Sequence, residues 1–311
     1  MSNIIDFNQR KDGGLYSEYF ISKYKASLET EDKSPLTVKE YVNCVTHFLG
    51  FLEVRIDDID HLHVIHYQSE LQDKQKLAST TVNKKLHAIK SFLAWLCDND
   101  YIAKDISRKI KTIKIQNQRV SPKSLNDKEV NLILQFCGTS KASVKFRNYA
   151  MIQLMLNTGI RVSELVNLNY EDVDINERSG SILIKQGKGS KDRKVLLNSK
   201  ARSSLTNYFD YRTEKLNGHI SNDSPLIASQ SEKRMSVRGV QSIVQELSKK
   251  AKIIRMRVSP HTFRHTFATR YHNETKDLVG LAALCGHSSL NTTAKYSLPS
   301  EDQLLLGLDR I

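Results

Sequence analysis

Two histidines and an arginine stand together in the run His261-Thr262-Phe263-Arg264-His265, and a third histidine and a tyrosine follow at His287 and Tyr296. Positions i, i+3 and i+4 of a helix share a face, so His261, Arg264 and His265 are expected to project the same way. Phe263, Phe267 and Tyr271 then follow a path around the other side, as a core-facing stripe requires. A guanidinium fork, imidazoles and a phenol in one place suit an anionic substrate, phosphate foremost. Hydroxyl attack on a phosphodiester also needs cations where negative charge grows, a base for the nucleophile and an acid for the leaving oxygen. Arg161 offers a second fork, His261 and His287 can move protons near neutral pH, and Lys188 sits on a glycine-flanked tip. Taken singly, Arg161 reads as a helix-end arginine, Lys188 as a solvated turn and His265 as a structural hydrogen-bonder. The conjunction is what points to chemistry. A zinc site built from His261, His265 and His287 or Cys285 is disfavoured. Thr262 stands where a zincin needs glutamate, and Arg264 on the ligand face would repel the metal.

These residues must be brought together by a largely helical chain. Helical patterning begins near Leu15-Tyr16, and Thr37 with Glu40 reads as a capping box. Asp60 and Thr80-Thr81 open further helices, the last carrying Val82, Leu86, Ile89, Phe92 and Leu96 at helical spacing. Asn126 with Glu129 starts a second group of helices. A long apolar helix then runs to Thr158-Gly159, glycine being the natural left-handed stop. Val173–Ile175, Ser181–Lys185 and Arg193–Leu197 are the convincing strands, the last two flanking the glycine-rich turn at 186–191. Ser236 caps a helix that ends in the basic string Lys249, Lys250, Lys252, Arg255 and Arg257. The fold class is therefore mainly α with a small antiparallel sheet: a helical lobe, then an α+β domain.

The chain has 311 residues, suited to two cores rather than one. Its first 120 residues hold 18 Lys+Arg against 16 Asp+Glu and the remainder 29 against 18, so most of the +13 lies in the second part. Such an excess points to a polyanionic partner. No stretch approaches a membrane span, and no secretion signal opens the sequence. Four scattered cysteines argue for a reducing compartment. The domain reading is a polar leader at 1–12, a helical lobe at 13–103, a basic linker at 104–123 and a second domain at 124–311. Lys109, Lys111, Lys114 and Arg119 in the linker, with Lys191 and Arg193 beside the hairpin, are candidate DNA contacts, since each phosphate neutralised releases counterions. A leucine-rich helix at about 300–309 is too apolar to stand alone and is expected to dock.

Four ordered segments resemble the tyrosine recombinase, or phage integrase, family, in its Xer-like two-domain form. Thr158-Gly159-Ile160-Arg161-Val162-Ser163-Glu164-Leu165 is similar to its first arginine box, and Gly187-Lys188-Gly189-Ser190-Lys191-Asp192-Arg193 to its lysine hairpin. The segment from His261 to Thr269 is similar to its second box, and Cys285-Gly286-His287 through Tyr296 to the segment that holds the nucleophile. The resemblance implies an N-terminal SAM-like core-binding lobe and a catalytic domain. Tyr296 would attack a DNA phosphate to give a 3′-phosphotyrosine. Arg161, Arg264 and His287 would stabilise the transition state, Lys188 would protonate the 5′-oxygen, His261 would assist proton transfer, and Glu164 would orient the first arginine.

It further implies that no metal or other cofactor is needed. The expected partner is double-stranded DNA, bound by a homotetramer on paired sites that exchanges C-terminal helices and passes through a Holliday junction. Integration, excision or resolution are the expected uses, with a second recombinase or accessory protein as a further partner. The setting would be the cytoplasm of a bacterial or archaeal cell, at the nucleoid. Two rivals remain at this point: a type IB topoisomerase-like relaxing enzyme, and a non-catalytic DNA-binding accessory protein.

Overall fold

A computed structural model describes residues 13–52, 54–114, 124–139, 141–185, 192–286, 290–294 and 296–297. The chain divides into two compact units, residues 1–118 and 119–311. The leader at 1–12, Arg119, Lys188, Lys191, His287 and the helix expected at 300–309 lie outside the described residues.

The first unit is helical: α1 (Gly13–Thr30), α2 (Pro35–Phe51), α3 (His61–Ser69), extended by a π-helical turn at Glu70–Lys74, and α4 (Ser79–Asp98). Both α1 and α4 pack on α2. Tyr24, Phe48, Tyr67, Leu86 and Phe92 fill the core, with Phe48 and Tyr67 edge to face at 5.1 Å. Each such burial stabilises the fold by about 2 kcal/mol. The start of α2 differs from the sequence expectation. Ser34, not Thr37, is the cap, and its hydroxyl accepts the Thr37 N–H at 3.1 Å. Pro35 explains the shift, because its fixed φ and missing N–H suit the first helical position. Asp60 does cap α3, accepting from the Leu62 and His63 amides.

The start of the basic stretch is held on this unit. Ile110 is buried, and Ile106 and Ile113 pack against the same core. The Asn83 side chain pairs with both backbone groups of Ile113 at 2.8 and 2.9 Å, and Lys90 Nζ donates to the Ile110 carbonyl. Lys109, Lys111 and Lys114 remain exposed on it.

The second unit opens with α5 (Asp127–Gly138), where Asn126 and Glu129 cap each other as read from the sequence, both bonds at 2.9 Å. Helix α6 (Ala142–Thr158) is its central element and packs against α5, α8 (Ser199–Lys215) and α10 (Pro260–Thr275). Met151, Leu154 and Met155 of α6 are fully buried. After the short α7 (Val162–Asn167), strands β1 (Val173–Ile175), β2 (Gly180–Ile184) and β3 (Arg193–Leu196) form one antiparallel sheet in that order, with Val173 opposite Ile182 and Ile184 opposite Arg193. Helices α9 (Val237–Lys250), α11 (Leu278–Cys285) and α12 (Asn291–Ala294) complete the described part. None of the described helices is long and apolar enough to cross a membrane.

Candidate active site

Arg161 stands immediately after the end of α6. Gly159 terminates that helix at φ +62°, and an added Cβ would lie 2.5 Å from the Phe267 ring, so both backbone and space demand glycine. Arg161 is the N-cap of α7, and Glu164, three residues on, accepts the Arg161 backbone N–H at 2.8 Å. The same carboxylate takes the Arg161 Nη1 at 2.9 Å and both Nη atoms of Arg193 at 2.8 Å. One glutamate therefore holds two guanidiniums. Burial pushes its carboxyl up, but the Arg193 hydrogen bonds, the Arg161 amide, the Arg193 charge and the Arg161 side-chain hydrogen bond outweigh that and hold it below the usual range.

The two arginines of this pair differ in exposure. The Arg161 side chain is 41% exposed, whereas Arg193 is 13% and Glu164 12% exposed. The sequence reading put Arg193 among the DNA contacts. The structure places its guanidinium inside, on Glu164, with the backbone of Gly286 close by. Gly286 has φ +63°, and a Cβ there would meet the Arg193 guanidinium at 3.0 Å.

Helix α10 carries the second arginine. Ser259 caps it and Pro260 occupies its first turn, which fixes where His261 emerges. The sequence suggested an apolar side and a chemical side. Instead Thr262, Phe263, Arg264, Thr266 and Ala268 are all buried, while His261 is exposed and His265 half-buried. Arg264 is buried because its charge is met by carbonyls from two other segments: Nη1 donates to Gly159 at 2.6 Å and Nη2 to Cys285 at 2.7 Å. Charge-assisted bonds of this kind offset the loss of hydration. Burial lowers the guanidinium pKa from its ordinary value.

The carbonyls bring the two arginines together. Arg161 Nη2 donates to Gly286 at 2.9 Å and Arg264 Nη2 to the adjacent Cys285 at 2.7 Å, so both forks converge on consecutive peptide units at the end of α11. Tyr296 follows α12, its amide bonded to the Thr293 carbonyl at 2.9 Å. Its ring sits in a small apolar cluster with Ala268, Leu281 and Cys285, against which Phe267 and Tyr271 pack. Burial raises the phenol pKa well above its ordinary value, with Cys285 adding to the rise and Arg264 opposing it. The hydroxyl lies 2.6 Å from His265 Nδ1, and the His261 ring stands edge-on to His265 with centroids 4.3 Å apart.

Arg161, Arg264, His261, His265, Glu164 and Tyr296 are thus gathered from α6–α7, α10 and the segment after α12. The contact between His265 and Tyr296 was missed in the sequence; they are 31 residues apart, and only packing of α11 between them brings them together.

The catalytic half of the chain matches the model of the phage integrase family over residues 123–302, and residues 20–103 match that family's N-terminal SAM-like domain. The chain belongs to the phage integrase family. Tyrosine recombinase XerC of Thermodesulfovibrio yellowstonii is 31% identical over 284 residues, covering 90% of this chain and 92% of that one. XerC of Bacillus pumilus is also 31% identical, over 87% and 88% of the two chains. Among solved structures, the fold matches XerH site-specific recombinase bound to palindromic difH substrate, a post-cleavage complex, with a TM-score of 0.74 at 22% identity over 94% of each chain. This integrase-family member therefore has the expected architecture, a helical SAM-like lobe followed by a catalytic domain with a small sheet.

Proposed function

We propose that this protein is a site-specific tyrosine recombinase that cuts and rejoins double-stranded DNA through a covalent phosphotyrosine. The convergence of Arg161 and Arg264 on the Cys285–Gly286 peptides, beside the Tyr296 hydroxyl's partner helix, carries the reading. A phosphodiester entering there would meet two guanidinium forks where charge develops on its non-bridging oxygens. The Tyr296 oxygen attacks phosphorus, the 5′-oxygen leaves, and the 3′-phosphate stays on the enzyme. Because that ester keeps the bond energy, religation needs no nucleotide, and the residues assigned here use no metal. Glu164, gripping Arg193 from behind, fixes the Arg161 fork, so Arg193 acts as a positioning residue.

Lys188 as the acid for the 5′-oxygen, His287 as a further transition-state donor and His261 as an aid to proton transfer rest on the similarity of their segments to the family's boxes. DNA as partner is supported by the XerH site-specific recombinase of like fold, which is bound to its difH substrate. The basic side chains Lys109, Lys111, Lys114, Arg119 and Lys191 would grip its backbone. Assembly as a tetramer on paired sites, tail-helix exchange and a Holliday junction complete the proposal, as does a place of action at the bacterial or archaeal nucleoid.

The test is a nicked duplex carrying the site, on which cleavage traps the enzyme. A denaturant-resistant adduct is expected in EDTA with the wild type and none with Tyr296→Phe; an adduct that persists in the variant overturns the nucleophile. Relaxation of supercoiled plasmid that lacks any cognate site would instead favour a topoisomerase.

A further inference from the structure

After α4 the chain has little regular structure, yet it stays on the first unit. Asp105 Oδ1 accepts the Ser107 amide at 2.9 Å and opens a single 3₁₀ turn, Ser107–Lys109. Beyond that turn the segment lies on α4 and is fastened at two points. Lys90 Nζ donates to the Ile110 carbonyl at 3.2 Å. The Asn83 side chain donates to the Ile113 carbonyl at 2.9 Å and accepts the Ile113 N–H at 2.8 Å. Asn83 and Lys90 share a face of the helix and are about 10 Å apart along its axis, the distance that three extended residues cover. The segment therefore runs back along α4, from Lys90 to Asn83.

An extended backbone with no neighbouring strand must find other partners for its N–H and C=O groups. The Asn83 amide stands in for one peptide of such a strand. What this adds to the burial of Ile110 is register. Ile110 and Ile113 pack on the core of the first unit, while Lys109, Lys111, Thr112 and Lys114 are exposed. A slip of one residue in an extended chain exchanges inward and outward side chains. Here it would put Lys111 and Lys114 in the places of the two isoleucines. Pairing with both backbone groups of Ile113 selects the register that keeps the lysines outside. Helix α4 adds Lys84 and His87 to the exposed side and carries no acid before Asp98. The one carboxylate of the segment, Asp105, is already engaged by Ser107 and by Arg108 at 3.0 Å.

We propose that Asn83 is a positioning residue for DNA: it touches no phosphate itself, but fixes the register in which Lys109, Lys111 and Lys114 face the duplex backbone. Lysines on an unfastened chain would have to be ordered when DNA binds, and that ordering opposes association; fastened along α4, they are ordered beforehand. This inference rests on the reading of these lysines as DNA contacts and names the side chain that makes them a site.

The experiment reads the salt dependence of binding by the full chain to a mixed-sequence duplex of about 30 base pairs, because the slope of log K against log salt counts the phosphates neutralised. Lys109→Gln, Lys111→Gln and Lys114→Gln combined should flatten that slope by about 3, roughly one for each lysine. Asn83→Ala removes no charge, yet should flatten it by about 1 to 2. Added to the triple variant, it should change nothing further, since the two act through the same contacts. Loss of folded protein alone would lower the active fraction and leave the slope of what binds unchanged. Ile113→Pro, which deletes the N–H that Asn83 accepts, should reproduce the effect with Asn83 intact. A triple variant with the wild-type slope overturns the reading of these lysines as DNA contacts, and the inference with it, and would point to an acidic protein as their partner. A flattened slope in the triple variant, beside the wild-type slope in both Asn83→Ala and Ile113→Pro, overturns the role of Asn83 alone. An equal loss from Asn83→Ala whether or not the lysines are present does the same.

Discussion

Two carboxylates in the second unit are each gripped by two cations, and the two clusters end up doing different work. Glu232 takes Arg212 Nε at 2.7 Å and Lys215 Nζ at 2.8 Å, and Arg212 Nη1 donates to the Pro225 carbonyl at 2.8 Å. Glu164 takes Arg161 and Arg193 in much the same way. The difference lies in what is left open. Arg212 is 2% exposed and tied to the loop that follows α8, whereas Arg161 keeps 41% of its side chain exposed and leans on Gly286, one residue from the carbonyl that holds Arg264. A cation sealed on all sides ties segments together. One held from behind, with its front open, is ready for an anion.

The sharpest way to break this contrast is at Arg161. Arg161→Lys keeps the charge and loses the planar fork, so adduct formation on the nicked duplex should fall by about 10²–10³-fold with little change in thermal stability. The same exchange at Arg212 should show the reverse: a lower unfolding midpoint and, for the protein that remains folded, an unchanged cleavage rate. Equal loss of cleavage from the two variants would dissolve the distinction.

Arg193 falls between the two. Arg193→Ala leaves Glu164 with one guanidinium in a site only 12% exposed, which is expected to cost about 3 kcal/mol of stability in urea titration. It should also loosen Arg161, so adduct formation drops by about tenfold, a smaller loss than from Arg161→Lys. If Arg193→Ala weakened DNA binding and spared both stability and Arg161, it would be a DNA contact after all. Arg212→Ala should match the stability loss without the kinetic one.

What the sequence makes legible follows the range of the interactions. Glu164 capping the helix that Arg161 opens, Gly159 ending α6, and the Asn126–Glu129 box are set within three or four residues, and so can be read from spacing. The three strands are legible for the same reason, being short runs about a turn. The burial of Arg264 was not, because the carbonyls that permit it come from residues 105 and 21 positions away. Arg193 looked like a surface charge until a strand pairing folded it onto Glu164, and the Glu232 cluster left no sequence signal at all. Even the boxed residues gave types without partners: the sequence placed His261 and His265 on one helix, but only the packing of Tyr296 against α10 and α11 brought the phenol to His265.

The smallest expected effect is also the one both clusters share. Burial alone would raise the Glu232 carboxyl, yet the hydrogen bonds from Lys215 and Arg212 outweigh it and hold it below the ordinary range, as Arg193 and Arg161 do for Glu164. A carboxylate depressed in the folded state leaves the unfolded chain binding more protons, so its stabilising contribution is present above the unfolded value of about 4.3 and is lost as pH falls through the lower folded one. Wild type should accordingly exceed Glu232→Gln in urea midpoint at neutral pH, and the gap should close as the pH is lowered below that value; Glu164→Gln should behave alike. A gap that held constant into acid would mean the carboxylates contribute by shape rather than charge. Only the Glu164 variant should also slow adduct formation at neutral pH, since only its carboxylate stands behind a cation that faces the site.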